Sequence, residues 1–68
     1  MQKFRIVYKF GNEHVATRIA DFESRNHVEA EVMDNLEKVF SFEDQSGVSR
    51  VINGNHVKEV KIGKLKGK

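Results

Sequence analysis

Valine and isoleucine dominate the apolar residues of this chain, which has thirteen of them against only two leucines. Side chains branched at Cβ lose rotamer freedom in a helix and fit the pleated surface of a sheet, so this bias favours β-structure. The pattern is clearest over residues 3–10, where side chains alternate between two sides of a strand. One side carries Phe4, Ile6, Tyr8 and Phe10, and the other carries Lys3, Arg5, Val7 and Lys9.

A second strand is predicted over residues 14–22, after a turn at residues 11–13 that contains Gly and Asn. One side of that strand carries Val15, Thr17 and Ile19. A helix is an open alternative for the same segment, because Val15, Ile19 and Phe22 are also spaced as on one helical face.

A helix is predicted from Asn26 onwards, in the most acidic part of the chain. Asn26 and Glu29 have the spacing of a capping box, in which each side chain accepts a hydrogen bond from the other residue's backbone N–H. At about 100° per residue, the apolar side chains fall in one arc and the charged ones fill the rest. The arc holds Val28, Val32, Met33, Leu36, Val39 and Phe40.

Three further strands are predicted near residues 40–43, 48–53 and 58–64. The first two flank a polar loop at residues 44–47, and Asn53-Gly54 indicates a tight turn because both residues tolerate positive φ. Val57 is out of phase with the last strand, which predicts a bulge or a non-strand approach there. The fold class is therefore α+β: a small antiparallel sheet of four to five strands with one amphipathic helix packed across it, in the order β-β-α-β-β-β.

The predicted core collects the apolar residues that these elements place on their buried sides. The fourth strand leaves a choice open, because Val51 and Ile52 are both apolar and point to opposite faces. The candidates are Phe4, Ile6, Tyr8, Val15, Ile19, Val28, Val32, Leu36, Phe40, Val51 and Val60.

The formal net charge of +2 arises from two opposed regions. Residues 58–68 contain five lysines against one glutamate, whereas residues 26–39 have a net charge of −3. We expect a single domain over residues 1–63 and a short basic tail over residues 64–68. The chain contains no cysteine and no long apolar run, so a cytoplasmic protein without membrane contact is expected.

The sequence nominates no catalytic group. It has no cysteine, no G-x-S-x-G setting and no phosphate-binding glycine loop, so a non-enzymatic protein without a cofactor is expected. His27, Glu31 and Asp34 could converge on a metal ion from one helical face. An exposed ion pair between Asp34 and Lys38 explains that pattern better, and no metal site is predicted.

The leading hypothesis is a small binding or adaptor module that acts through protein–protein interaction, with an unknown protein or a second copy of itself as partner. Thin cores in domains of this size favour association, and open sheet edges are templates for pairing. The predicted protein-binding residues lie on the charged helical face and are Glu31, Asp34, Glu37 and Lys38.

Nucleic-acid binding through a basic sheet face and the lysine-rich tail is the alternative. A single-strand binder stacks aromatic side chains on bases, and the aromatic residues here are expected to face the helix instead. The residues of this alternative are Lys3, Arg5, Lys9, Lys61, Lys64, Lys66 and Lys68.

Overall fold

A computed structural model describes residues 1–11, 13–44 and 46–65 of the chain. It confirms the α+β class and the order β-β-α-β-β-β. The strands are β1 (Gln2–Gly11), β2 (His14–Phe22), β3 (Val39–Glu43), β4 (Ser49–Asn53) and β5 (Glu59–Lys64), with helix α1 (Arg25–Asn35) between β2 and β3 and a 3₁₀ turn (Gly54–His56) before β5.

The five strands divide between two antiparallel sheets. Strand β1 lies at the centre of a three-stranded sheet in the order β2-β1-β5, and β3 pairs with β4 in a separate hairpin. The strand prediction for residues 14–22 is confirmed, so the helical alternative for that segment is wrong. Residues of opposite strands that face each other share a side of the sheet, which defines an inner and an outer face.

The core lies between the inner face of the three-stranded sheet and a second layer made of α1 and the β3–β4 hairpin. Tyr8 joins the two layers, since its ring centroid lies 5.1 Å from that of Phe40 and 5.9 Å from that of Phe42. At the other end of β1, Phe4 contacts Phe22 edge-on, with ring centroids 6.3 Å apart. The buried apolar residues are Phe4, Ile6, Tyr8, Ala16, Val28, Val32, Phe40 and Ile52, and Leu36 and Val60 pack against them at partial burial.

The helix begins two residues earlier than the capping-box prediction, which is therefore wrong. Ser24 is the N-cap, with extended backbone angles and a hydroxyl that accepts a hydrogen bond from the N–H of His27 at 3.4 Å. This start places Arg25 in the first turn, where its guanidinium donates to the carbonyl of Ile62 at 3.1 Å and lies over the ring of Phe4. Asn26 is consequently a helical residue rather than a cap.

The helix also ends earlier than the apolar arc predicted. Leu36 is its C-cap, and Phe40 reaches the core from strand β3 instead of from the helix. Val39 and Met33 are exposed, at 62% and 67%, although the arc placed both on the buried side. The chain turns here because Gly54 packs directly against the end of the helix and its N–H donates to the carbonyl of Lys38 at 2.9 Å.

Strand β2 presents to the core the side opposite to the one we predicted. Ala16 is buried, whereas Val15 is 47% exposed and Ile19 lies on the outer face, so neither belongs to the core. Small residues are needed on the inner side of β2, because Arg18 crosses that side to form a 2.6 Å ion pair with Glu31 of the helix.

On strand β4, Ile52 is buried and Val51 is 72% exposed, so Val51 was the wrong core candidate.

Asn53-Gly54 does not form a turn with positive φ. Asn53 has a φ of −89° and caps the 3₁₀ turn by accepting a hydrogen bond from the N–H of Asn55. Val57 lies outside β5, in agreement with its predicted non-strand approach, and Lys64, assigned to the tail from the sequence, is the last residue of β5.

The single α-helix within residues 1–11, 13–44 and 46–65 has eleven residues, too few and too polar to cross a membrane.

Candidate protein-binding surface

The charged residues predicted to form one helical face are largely engaged within the chain. Glu31 is half-buried and bonded to Arg18 of β2. Asp34 forms a 2.8 Å ion pair with Lys38, and its hydrogen bond and negative charge raise the pKa of Lys38 above 10.5. Glu37 and Lys38 lie beyond the end of the helix, in the turn that leads to β3. The structure therefore does not assemble the four residues into one continuous helical surface.

The outer face of the three-stranded sheet lies opposite the helix and the hairpin. At its centre, Val7 of β1 stands directly opposite Thr17 of β2, with Ile19 and Val15 on either side of Thr17. We call these four residues the outer patch. In antiparallel sheets with one solvated face, each strand usually alternates between apolar residues on the packed face and polar residues on the solvated face. Three apolar side chains together on the outer face are therefore unusual.

Basic side chains border the outer patch. Arg5 faces Ile19, Lys9 faces Val15, and Lys61 of β5 faces Val7 across the other side of β1. The aliphatic stems of such residues can cover part of an apolar surface while their charges remain in water. The outer face therefore combines an apolar centre with a basic border.

Two lysines of the nucleic-acid alternative are paired across the strands. Lys3 lies 3.6 Å from Asp21, and Lys9 lies 3.5 Å from Glu59. Arg5 and Lys61 share the outer face with them, whereas Lys64 stands opposite Phe4 and so belongs to the inner side of the sheet at its edge. Lys66 and Lys68 lie outside the described residues.

None of the chain's six aromatic side chains stands on the outer face. Phe4, Tyr8 and Phe40 are buried, and Phe10, Phe22 and Phe42 pack against the same core. This bears out the expectation that the aromatic rings face inwards. The outer face therefore has no aromatic platform on which bases could stack.

An open groove of about 790 Å³ lies at the end of the sheet near the β1–β2 turn. Its described lining combines apolar and polar groups without a carboxylate, and consists of Phe10, His14, Asn55, His56, Val57 and Lys58. Both histidines are exposed. Among the described residues, no three His, Asp or Glu side chains lie close enough together to hold a metal ion.

The loop between β3 and β4 is organised by Asp44. One carboxylate oxygen accepts hydrogen bonds from the N–H groups of Ser46 and Val48, at 2.9 and 3.1 Å, and the other accepts from Nε of Arg50 at 3.0 Å. These hydrogen bonds, led by that from Arg50, hold the pKa of Asp44 below 3.8. The role of Asp44 is thus to close a hairpin.

Sequence reasoning missed the outer patch because it placed Val15 and Ile19 in the core. A signal was present, since Ala16, Arg18 and Ala20 share the other side of the strand, and the aliphatic stem of an arginine can lie along an apolar surface while its charge remains accessible.

No protein-family profile, no curated protein and no solved structure matches this chain.

Proposed function

We propose that this protein is a small non-enzymatic binding module that engages a protein partner through the outer face of its three-stranded sheet. The observation that carries the proposal is the outer patch, in which Val7, Val15, Thr17 and Ile19 adjoin one another on a face that neither the helix nor the hairpin covers. A second copy of the chain is one member of this class of partners.

The arrangement of the outer face suits recognition of a protein with an acidic border. Protein interfaces combine an apolar centre, which supplies most of the affinity, with a polar rim that remains near water. Arg5 and Lys61 flank Val7 and would face carboxylates of the partner. Such complementary charges mainly raise the association rate and fix the orientation of the complex.

The helix supports this proposal less well than the sheet does. Its most buried acid, Glu31, is bonded to Arg18, and Asp34 is bonded to Lys38. A partner that used these acids would have to compete with ion pairs inside the chain. A partner that binds the outer patch breaks no ion pair, and removing the apolar groups of the patch from water is favourable.

The experiment compares proteins captured from a cell lysate by the immobilised wild-type chain and by two variants. Val7→Glu places a charge in the outer patch, and Val51→Glu makes the same chemical change on the exposed side of the β3–β4 hairpin. We expect a protein that wild type and Val51→Glu retain, and that Val7→Glu loses by at least about tenfold, which corresponds to about 1.4 kcal/mol.

Two further measurements keep this comparison interpretable. Circular dichroism establishes that each variant is folded, and Ile19→Thr, which preserves the β-branch, tests the outer patch without an added charge. The proposal is overturned if Val51→Glu alone abolishes capture, or if no retained protein distinguishes wild type from Val7→Glu. Capture that disappears after nuclease treatment and falls steeply with salt would instead support the nucleic-acid alternative.

A further inference from the structure

The two edges of the three-stranded sheet differ in how their backbone groups are covered. The N–H of Leu65 donates to the carbonyl of Lys3, and the N–H of Lys58 donates to the carbonyl of Lys9. The odd-numbered residues of β1 therefore bond to β5, and the even-numbered ones bond to β2, because hydrogen-bonding directions alternate along an antiparallel strand.

The outward-pointing groups of β5 are protected. They belong to residues 60, 62 and 64, and the guanidinium of Arg25 already donates to the carbonyl of Ile62 at 3.1 Å. Lys61 and Lys64 add positive charge to this short strand. Charged side chains, especially lysines, are a common means of preventing an edge strand from pairing with another chain.

The outward-pointing groups of β2 have no such cover. They belong to Val15, Thr17, Ile19 and Asp21, and no hydrogen bond from the described residues reaches their N–H or carbonyl groups. Strand β2 is nine residues long and has no lysine or proline, whereas β3 and β4 have five residues each. It is therefore the longest unprotected edge among the described strands.

A groove beside this edge provides room for another strand. Its volume is about 450 Å³, and it separates Val15 and Thr17 from the loop end of the hairpin, where Asp44, Ser46 and Arg50 form the far wall. Asp44 and Arg50 are paired with each other, so that wall adds little net charge.

We propose that a second copy of this chain pairs its β2 with this edge, antiparallel and around a two-fold axis at Thr17, to form a continuous six-stranded sheet. The sequence of β2 complements itself in this register. On the outer face, Thr17 lies opposite Thr17 of the other chain, and Val15 of each chain lies opposite Ile19 of the other. Cross-strand pairs of β-branched residues and of threonines stabilise antiparallel sheets.

The side chains on the inner side of β2 favour this register over the neighbouring one, in which the axis lies at Arg18. With Thr17 at the axis, Arg18 stands opposite Ala16 of the other chain, which leaves space for the guanidinium and its bond to Glu31. A shift of the axis to Arg18 would set two arginines directly against each other, and like charges in that position are destabilising. The Thr17 register also joins the two outer patches into one apolar surface.

Cysteine cross-linking tests the register, because the natural chain contains no cysteine. Directly opposed, hydrogen-bonded residues have Cα atoms about 5.5 Å apart, a separation that a disulfide spans. We expect Thr17→Cys to form disulfide-linked dimers on mild oxidation, at least about tenfold faster than Ser41→Cys on the hairpin, a difference of about 1.4 kcal/mol in activation free energy. A mixture of Val15→Cys and Ile19→Cys should yield mainly the mixed dimer.

Sedimentation equilibrium tests association of the unmodified chain. We expect the mass to rise with concentration from the 7.8 kDa monomer to twice that value. Thr17→Lys and Thr17→Glu should each raise the dissociation constant at least about tenfold, and an equimolar mixture should restore the dimer, since opposite charges then face each other. Val51→Glu, on the exposed side of the β3–β4 hairpin, is the control and should leave the dissociation constant unchanged.

The dimer is refuted if wild type keeps the monomer mass at the highest concentration and Thr17→Cys cross-links no faster than Ser41→Cys. Equal yields of mixed and identical dimers from Val15→Cys and Ile19→Cys would refute the Thr17 register. These experiments use the purified chain alone, so their failure leaves the proposed capture of a different protein through Val7 standing.

Discussion

Tyr8 combines good packing with an unpaired polar atom. Its side chain is fully buried, its ring contacts Phe40 and Phe42, and no described residue offers a hydrogen-bond partner to its hydroxyl. A buried hydroxyl without a partner costs about 1–3 kcal/mol. The ring therefore stabilises the core, while the hydroxyl opposes it.

Tyr8→Phe should raise the free energy of unfolding by about 1 kcal/mol, because it removes the unpaired hydroxyl and keeps the ring. Tyr8→Leu, which removes the ring as well, should lower it by about 2 kcal/mol. Urea denaturation followed by circular dichroism measures both. A less stable Tyr8→Phe protein would mean that the hydroxyl is satisfied in solution.

Asp44 should make the stability of the protein depend on pH in the acidic range. Its pKa is lower in the folded chain than the ordinary value of 3.8, chiefly because Arg50 donates a hydrogen bond to its carboxylate. A group whose pKa is lowered by folding stabilises the fold above its unfolded pKa, and that stability is lost as the pH falls through the folded pKa. Asp44→Asn should therefore flatten the loss of stability below about pH 4, as measured by denaturation at a series of pH values.

The matched test changes the partner of Asp44 instead. Arg50→Gln removes the largest cause of the shift, so NMR titration should show the pKa of Asp44 moving up towards 3.8. An unchanged pKa in Arg50→Gln would assign the shift to the backbone N–H groups of Ser46 and Val48.

At the scale of elements, Gly54 determines how closely the chain that follows β4 packs against the end of the helix. A methyl group at this position would collide with the carbonyl oxygen of Asn35 and lie 2.8 Å from the Cα of Leu36 and from the carbonyl oxygen of Lys38. These are backbone atoms, which cannot turn aside as a flexible side chain would. Glycine is required here for close approach, whereas the sequence suggested that it served a turn with positive φ.

Gly54→Ala should lower the free energy of unfolding by about 1–3 kcal/mol, the usual cost of an overpacked site. Gly63→Ala is the control, because a methyl group there would meet no atom within 4 Å. It should change the stability by no more than about 0.5 kcal/mol. Thermal or chemical denaturation compares the two, and equal effects would contradict the packing of the 3₁₀ turn against the helix end.

The sequence was sufficient to predict the type and order of the elements but not the buried side of β2. Alternation shows that Val15 and Ile19 share a side with Thr17, yet it does not show which side meets the helix. The larger apolar residues favour burial of the side with Val15 and Ile19. In the structure the side with Ala16 is buried instead, because Arg18 crosses that side to reach Glu31, a contact between residues thirteen positions apart.

The end of the helix was unpredictable for a similar reason. Phe40 continues the spacing of Val28, Val32 and Leu36, so local periodicity extends the helix through it. What ends the helix at Asn35 is contact with Gly54, which comes much later in the chain. The predicted protein-binding residues inherited this error, since Glu37 and Lys38 were placed on a helix that does not reach them.

At the scale of the whole molecule, the second layer depends on side-chain packing. Among the strands that the structure describes, no hydrogen-bonded ladder joins the hairpin to the three-stranded sheet, and the main contacts of the hairpin are those of Phe40, Phe42 and Ile52 with the core. The hairpin should therefore respond strongly to changes in apolar volume on its inner side and weakly to changes on its outer side.

Ile52→Ala should lower the free energy of unfolding by about 2–4 kcal/mol, because it opens a cavity between the layers. Val51→Ala, one residue earlier on the same strand, should change it by no more than about 0.5 kcal/mol, since that side chain is 72% exposed. Chemical denaturation measures both values, and similar losses in the two variants would contradict the layer arrangement.

The central position of β1 also governs how the molecule reaches its native state. Its pairing with β2 closes through a short turn, but its pairing with β5 joins Phe4 to Lys64, about 60 residues apart. Bringing such distant segments together costs loop-closure entropy before any ladder bond compensates for it. Refolding should accordingly take milliseconds to seconds, as in other domains rich in non-local contacts, because β1 gains the ladder on its second side only when β5 pairs with it.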